Sequence, residues 1–164
     1  MNKEDIKILV VDDMAYIRLQ LKQMLSKAGY VHFEEAADGI AAITACKDFR
    51  PDFIILDIHL PKINGLDLIG FFISINPEVK ILICSVEHKD EVYRKALHLG
   101  AMDFIEKPVQ EKVLLEKADY ILNHKMSPAS RQMGKLNQGS YDFSENIGIK
   151  LYADKSLQVL SLYG

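Results

Sequence analysis

The sequence of 164 residues predicts an α/β domain built on a doubly wound, five-stranded parallel sheet. Three observations support this fold class. Short apolar runs alternate with helical patterns five times, which is typical of strands joined by right-handed helical crossovers. The apolar residues in the strong runs are consecutive, as expected of strands that helices cover on both faces. The composition, 49% hydrophobic and 26% charged, is that of a globular protein.

Four strong apolar runs and one weaker run are the predicted strands. The strong runs are residues 8–11, 53–56, 79–84 and 102–105, and the weaker run is 33–36. Apolar residues at helical spacing between and after these runs predict five helices. These helices are expected near residues 17–28, 40–47, 66–75, 92–99 and 111–123. Gly29 is a natural helix stop, and the domain is expected to end near His124.

Residues 125–164 are predicted to be a linker and a C-terminal extension outside this domain. Ser, Asn, Gln and Gly are common from 127 to 140, and residues 147–153 and 157–162 resemble the two strands of a β-hairpin. Residues 142–148 are similar to part of the PilZ cyclic-dinucleotide signature. However, Lys135 replaces the second arginine of that signature and its glycine is displaced. A hairpin for protein interaction is therefore favoured.

Charge and hydropathy exclude several classes of protein. A net charge of −3 argues against nucleic-acid binding through bulk basicity. No apolar stretch reaches the roughly 18 residues needed to span a membrane, and the mixed-charge N-terminus does not resemble a signal peptide. Cys46 and Cys84 are too few for a zinc site or a disulfide framework. These features predict a cytoplasmic protein with reduced thiols and no membrane contact.

Carboxylates follow two of the predicted strands. Asp12 and Asp13 come directly after residues 8–11, and Asp57 follows residues 53–56. The carboxyl ends of parallel strands meet at one edge of the sheet, so the three acids are expected to converge there. Like charges at short distance repel unless a cation lies among them, and oxygen ligands with room for water suit Mg²⁺. A single Asp in such a place is commonly a helix N-cap, but three at two strand ends favour a metal site.

A hydroxyl and an ammonium group are predicted at the same edge. Ser85 follows the fourth strand and Lys107 follows the fifth. Taken singly, Ser85 is explained as a helix cap and Lys107 as a solvated lysine. Together with the acids they suit phosphoryl transfer onto a carboxylate. The metal and Lys107 would neutralise the phosphate oxygens while Asp57 attacks in line.

Four motifs in order resemble the receiver domain of two-component response regulators, including the single-domain chemotaxis type. They are ILVVDD at 8–13 with Arg18 downstream, FIILDIHLP at 53–61 with Asn64 and Gly65, ILICS at 81–85, and GAMDFIEKP at 100–108. The resemblance covers about residues 5–124. It implies the flavodoxin-like receiver fold for that range, with residues 125–164 as an extension of unknown role.

The resemblance implies a role for each residue of the acidic edge. Asp57 would be the phosphoacceptor. Asp12 and Asp13 would hold Mg²⁺, with Asp57 and the backbone carbonyl of His59 completing the site. Lys107 would pair with the phosphoryl oxygens.

A switch is implied as well. Ser85 would move toward the phosphoryl group, and Phe104 would rotate inward and alter the face formed by the fourth helix, fifth strand and fifth helix. A cis peptide bond would precede Pro108. Ser85 stands where the family more often has Thr, and Phe104 lacks the hydroxyl of the commoner Tyr. His59 and Glu87 would flank the route of water to the acyl phosphate and tune its lifetime, or else merely face solvent.

A phosphorylation-controlled switch is therefore the expected function. A histidine kinase or a phosphotransfer protein would phosphorylate Asp57, and a downstream protein would read the altered face. A homodimer through that face or through the extension is a further expectation. The protein would catalyse only its own phosphorylation and dephosphorylation.

Two alternatives stay open. One is a binding module that does not depend on phosphorylation. The other is an aspartyl-phosphate phosphatase of the haloacid dehalogenase type. That type requires Asp-x-Asp at the nucleophile, whereas Asp57 is followed by Ile58 and His59.

Overall fold

The computed structural model describes residues 1–87 and 89–125, which form a five-stranded parallel sheet flanked by five helices. The strands are β1 Lys7–Val11, β2 His32–Ala36, β3 Phe53–Leu56, β4 Lys80–Ser85 and β5 Asp103–Glu106. The helices are α1 Ala15–Lys27, α2 Gly39–Phe49, α3 Gly65–Ile75, α4 Asp90–Leu99 and α5 Glu111–Asn123, and a 3₁₀ turn at Lys3–Asp5 precedes β1. The predicted fold class is confirmed. The predicted hairpin lies outside the described residues.

The strand order β2-β1-β3-β4-β5 places β1 and β3 side by side at the centre of the sheet. Val11, the last residue of β1, pairs with Leu56, the last residue of β3. The order along the chain reverses at β1, and such a switch point is where doubly wound sheets bind ligands. The residues after β1 and β3 are therefore neighbours at the ligand-binding edge.

Two hydrophobic layers cover the sheet, one on each face. The α2, α3 and α4 side packs against Leu9, Ile54 and Ile81, while α1 and α5 pack against Ile8 and Ile55 on the opposite side. All four residues of β3 are buried, because successive side chains point alternately into the two layers. This arrangement explains the consecutive apolar residues in the sequence. Over the described ranges, every helix is too short or too polar to cross a membrane.

The observed elements differ from the prediction at β2, β4 and β5, and β5 at 103–106 is shifted by one residue from the predicted 102–105. Strand β2 lies at the edge of the sheet and buries only Ala36, so it carries the weak pattern typical of a solvated edge. Strand β4 is shifted by one residue from the predicted 79–84, so that Ser85 is its last residue and does not follow it. Gly29 ends α1 as predicted, with a left-handed φ of 101°.

Lys80, at the start of β4, caps the C-terminus of α5. Its Nζ donates hydrogen bonds to the backbone carbonyls of Ile121 at 2.7 Å, Leu122 at 3.2 Å and His124 at 2.7 Å. The last carbonyls of a helix lack partners within the helix and carry partial negative charge, so a cation there is stabilising. Lys80 thereby joins the sheet to the point where α5 ends.

Lys80→Met should lower the free energy of unfolding by about 1 kcal/mol. Methionine keeps the apolar stem but leaves these carbonyls without the ammonium. Burial lowers the pKa of Lys80, so part of the gain from the hydrogen bonds is offset by desolvation of the charge. Urea unfolding measures the effect. Lys112→Met is the control, because Lys112 is an exposed α5 lysine whose ion pair with Glu116 is long, at 3.9 Å. Equal stability of the two variants would contradict the capping role.

Candidate functional site

Three carboxylates meet where β1 and β3 end. One oxygen from each of Asp12, Asp13 and Asp57 lies within 4.8 Å of the others. Asp12 and Asp57 are buried, with 1% and 4% of their surface exposed, while Asp13 is exposed. The structure thus brings together the acids that the sequence predicted to converge. The site offers three hard oxygen ligands and access to water, which fits the coordination that Mg²⁺ prefers.

Lys107 bridges the two buried acids from the end of β5. Its Nζ lies 2.5 Å from Asp12 Oδ2 and 3.1 Å from Asp57 Oδ2. Its backbone N–H donates to the carbonyl of Ser85 at 3.0 Å, and the peptide bond that follows, to Pro108, is cis as expected. Because Lys107 directly follows β5, the end of this strand positions its ammonium between the two carboxylates.

The two buried carboxylates are held in the same way. Asp12 Oδ1 accepts a hydrogen bond from the backbone N–H of Met14 at 2.9 Å, and Asp57 Oδ1 accepts one from that of His59 at 3.1 Å. In each case the other oxygen faces Lys107. This pattern fixes the orientation of both acids.

The electrostatics of the site favour an added cation. Burial raises the pKa of Asp57 and the charge of Asp12 adds to the rise, while Lys107 and the N–H of His59 oppose it without cancelling it. For Lys107, burial lowers the pKa, but the hydrogen bond to Asp12 and the charge of Asp57 raise it overall. One ammonium thus faces three carboxylates, which leaves an excess of negative charge for a metal ion or a phosphoryl-metal pair to neutralise.

Gly65, the first residue of α3, packs directly beneath Asp57. A Cβ built on Gly65 would lie too close to the carbonyl oxygen of Asp57 and to the Cα of Ile58, both of them backbone atoms. The N–H of Gly65 also donates to the carbonyl of Ile58 at 2.8 Å. Only glycine allows α3 to begin this close to the phosphoacceptor candidate.

Gly65→Ala should displace the Asp57 peptide and lower the free energy of unfolding by about 2 kcal/mol. The rate of phosphorylation by a small phosphodonor should fall with it, because the carboxylate moves with its backbone. Gly29→Ala is the matched control. It strains a left-handed residue far from the site, where a Cβ makes only an ordinary van der Waals contact with the Lys3 side chain at 3.8 Å, so it should cost stability but not rate. A Gly65→Ala protein that lost stability alone would show that the contact does not position Asp57.

Ser85 is the last residue of β4 and not, as predicted, the residue after it, while Phe104 lies within β5 as predicted. Ser85 is fully buried, and its Oγ accepts a hydrogen bond from the N–H of Glu87 at 3.3 Å. Phe104 is only 6% exposed and contacts Tyr93 of α4 edge to face, with 5.9 Å between ring centroids. The aromatic ring on the α4–β5 face is therefore already buried in this structure. Tyr93 was not recognised from the sequence, because a lone tyrosine on a helix does not reveal its partner.

His59 and Glu87 form a contact that the sequence did not predict. Both were expected beside the site, and the structure places His59 Nε2 at 2.9 Å from Glu87 Oε2. Lys89 approaches the other oxygen of Glu87 at 3.0 Å. The loops after β3 and β4 are thus joined above the carboxylates, and neither residue merely faces solvent.

Comparison with known proteins gives consistent matches over the described domain. The model of the response regulator receiver domain family matches residues 8–119. Chemotaxis protein CheY of Thermotoga maritima is 38% identical over 110 residues, which cover 67% of this chain and 92% of that protein. A structure of the CheX–CheY complex with BeF₃ and Mg²⁺ from Borrelia burgdorferi matches with a TM-score of 0.70 at 26% identity, covering 73% of this chain and 90% of that one. A protein of Pseudomonas aeruginosa, provisionally named a transcriptional regulator, is 30% identical over 154 residues, or 94% of this chain and 74% of its own length.

Proposed function

Since this chain belongs to the response regulator receiver domain family and is CheY-like, we propose that Asp57 accepts a phosphoryl group. The phosphoryl group would switch the protein between two states. One observation carries the proposal. One oxygen from each of Asp12, Asp13 and Asp57 lies within 4.8 Å of the others. The ammonium of Lys107 bridges Asp12 and Asp57. This combination offers a nucleophile, a metal site and a fixed positive charge at a single sheet edge.

Phosphoryl transfer would form a bond between phosphorus and a carboxylate oxygen of Asp57. The phosphorus–nitrogen bond of a phosphohistidine on a partner kinase or phosphotransfer protein would break, and the electron pair of that bond would return to the imidazole. Mg²⁺ would be held by Asp12, Asp13, Asp57 and the carbonyl of His59, and when bound it neutralises charge on the transferred group. Lys107 would exchange its contact with Asp57 for one with the phosphoryl oxygens. The reaction modifies the protein itself, so no separate substrate is turned over.

The switch would act through Ser85 and the α4–β5–α5 face. Ser85 ends β4, the strand next to β3, and its hydroxyl would contact an added phosphoryl oxygen. Movement of the β4 end would change the space available to Phe104, whose ring packs against Tyr93 of α4. A ring pair that links β5 to α4 can report such a change on the surface. A downstream protein, or a second copy of this chain, would read it.

Residues 5–124 would act as the receiver and residues 125–164 as a linker and an interaction element. The alignment with the Pseudomonas relative spans 154 residues, so it includes positions beyond residue 125. A shared sequence in this part supports an output role that differs from that of single-domain relatives. Limited proteolysis before and after phosphorylation would test whether the extension responds to the switch.

Intact-mass analysis with acetyl phosphate tests the proposed function. The wild-type protein should gain one phosphoryl group when Mg²⁺ is present and none when the metal is chelated. The absence of any adduct over a range of Mg²⁺ concentrations would favour the phosphorylation-independent binding module. Steady hydrolysis of a generic phosphate ester would instead favour a phosphatase.

A further inference from the structure

We propose that Arg18 is a positioning residue that fixes the backbone of the Asp12–Asp13 metal-binding loop. The inference rests on the proposed function only in taking the acidic cluster as the Mg²⁺ site. Arg18 lies in the first turns of α1, and its side chain is 15% exposed. It is a separate group from Lys107, which contacts the carboxylates themselves.

The guanidinium of Arg18 makes two directed contacts. Its Nη1 donates a hydrogen bond to the backbone carbonyl of Asp12 at 2.7 Å, and its Nε donates to Oε1 of Glu35 at 3.0 Å. Glu35 lies in β2, which pairs with β1 on the side opposite to β3. The planar fork of arginine can satisfy both acceptors at once, whereas the single ammonium of a lysine is poorly shaped to do so.

The carbonyl of Asp12 belongs to the peptide that joins Asp12 to Asp13. Because a peptide unit is planar, holding its oxygen also orients the N–H and Cα of Asp13. The N–H of Asp12 is held by Ala36 and its Oδ1 by Met14. With the bond from Arg18, the loop is fixed on both sides of Asp12.

Asp13 has the greatest need of such support. Within residues 1–87 and 89–125, its carboxylate makes no hydrogen bond or ion pair with another side chain, and it is exposed. The point from which this carboxylate extends toward the cluster is therefore set by its backbone. A loop free to turn about the Asp12–Asp13 peptide would move one of the three metal ligands away from the other two.

Glu35 pairs with two cations, Arg18 and Lys22, and offsets part of their charge. Lys22 lies 2.7 Å from the second oxygen of Glu35, and its hydrogen bond, together with those of Arg18, lowers the pKa of that carboxyl despite partial burial. Glu35 thus stays ionised beside the two cations. Of these two, Arg18 donates the directed hydrogen bond to the carbonyl of Asp12, and this bond is the contribution that we assign to it.

The experiment compares Arg18→Met with Lys22→Met. Lys22→Met removes a charge from the same Glu35 pair but leaves the bond to Asp12 in place. Calorimetric titration with Mg²⁺ should show about tenfold weaker binding for Arg18→Met, as is typical when an outer hydrogen bond to a metal site is lost. Lys22→Met should stay within about twofold of the wild type. In the metal-free protein, the NMR amide signals of Asp13 and Met14 should shift only in Arg18→Met.

The dependence of phosphorylation on Mg²⁺ gives a second readout. Arg18→Met should need more Mg²⁺ for half-maximal rate but reach a rate near that of the wild type at saturating metal, since Asp57 and Lys107 are unchanged. Should Arg18→Met not fold, Arg18→Lys serves in its place, with the shift of the Asp13 signal and weaker Mg²⁺ binding again expected. Mg²⁺ binding equal to that of the wild type in a folded Arg18 variant, or an equal loss in Lys22→Met, would overturn the inference. The two proposals can be told apart. If Mg²⁺ binding weakens only in the Arg18 variants while the wild-type protein accepts no phosphoryl group, the positioning role is upheld and the proposed function is refuted.

Discussion

Asp57→Asn is expected to abolish phosphorylation and, in the metal-free protein, to increase the free energy of unfolding. The amide is not a nucleophile. Of the other two acids of the site, Asp12 is paired with Lys107 and Asp13 is exposed. Asp57 is a buried carboxylate next to the buried Asp12, so the neutral side chain removes a desolvated like charge. Lys107 keeps its partner Asp12. The free energy of unfolding should rise by about 1 kcal/mol, which is at the lower end of the gains seen when a buried charged group is replaced by a neutral one.

The pH dependence of this gain has a definite sign. Because burial raises the pKa of Asp57, the folded protein binds that proton more tightly than the unfolded chain does. The stabilising effect of protonation is present below the unfolded pKa and is lost as pH rises through the folded pKa. The advantage of Asn over Asp should therefore be full at neutral pH and disappear in acid.

Urea unfolding across this pH range and intact-mass analysis test both parts of the prediction. Mg²⁺ should reverse the order of stabilities, because the ion binds the folded wild type more tightly than the variant. Asp48→Asn, an exposed acid of α2, should match the wild type in phosphorylation. An adduct on Asp57→Asn would move the phosphoacceptor elsewhere.

Lys107→Met is expected to have the largest effect on stability. Removing the bridging ammonium leaves Asp12 and Asp57 buried without their cation, and breaking such a pair typically costs about 3 kcal/mol or more. Mg²⁺ should restore part of this loss by supplying positive charge at the same carboxylates. Phosphorylation should still occur, because Asp57 and the metal ligands are intact, but the coupling to the α4–β5–α5 face should be lost.

Thermal or urea unfolding with and without Mg²⁺ measures the first effect, and NMR shifts of Tyr93 and Phe104 on phosphorylation measure the second. Lys89→Met is the matched control, since Lys89 is 75% exposed and contacts only the rim of the site through Glu87. It should unfold like the wild type and keep the phosphorylation-linked shifts. Normal shifts in Lys107→Met would contradict the role of Lys107 in the switch.

The order of elements and the convergence of the acids could be predicted because each depends on local patterns. Consecutive apolar residues mark strands covered on both faces, and parallel strand ends share one edge of the sheet. The edge strand β2 gave a weak signal because solvent exposure removes that pattern. The exact end of β4, and with it the place of Ser85 inside the strand, depends on pairing with β3 and β5 and not on composition.

Contacts between distant residues could not be predicted from patterns of single elements. The contact of His59 with Glu87, the packing of Tyr93 on Phe104 and the bonds of Arg18 each join separate elements. All of these residues except Tyr93 were singled out from the sequence, but their partners follow only from the three-dimensional arrangement. Arg18 was recognised as part of a motif, while its role at the Asp12 carbonyl emerged only with the distances.

The bridge made by Lys107 has a mechanical consequence. Lys107 follows β5, an outer strand of the sheet, and forms an ion pair with Asp12 at the end of β1. The bridge therefore joins two strands that are separated by β4 and β3, three strand spacings or roughly 14 Å apart. Any group that draws the ammonium away from Asp12 removes this link. The position of the end of β5 and the occupancy of the acidic site are thus coupled through one side chain.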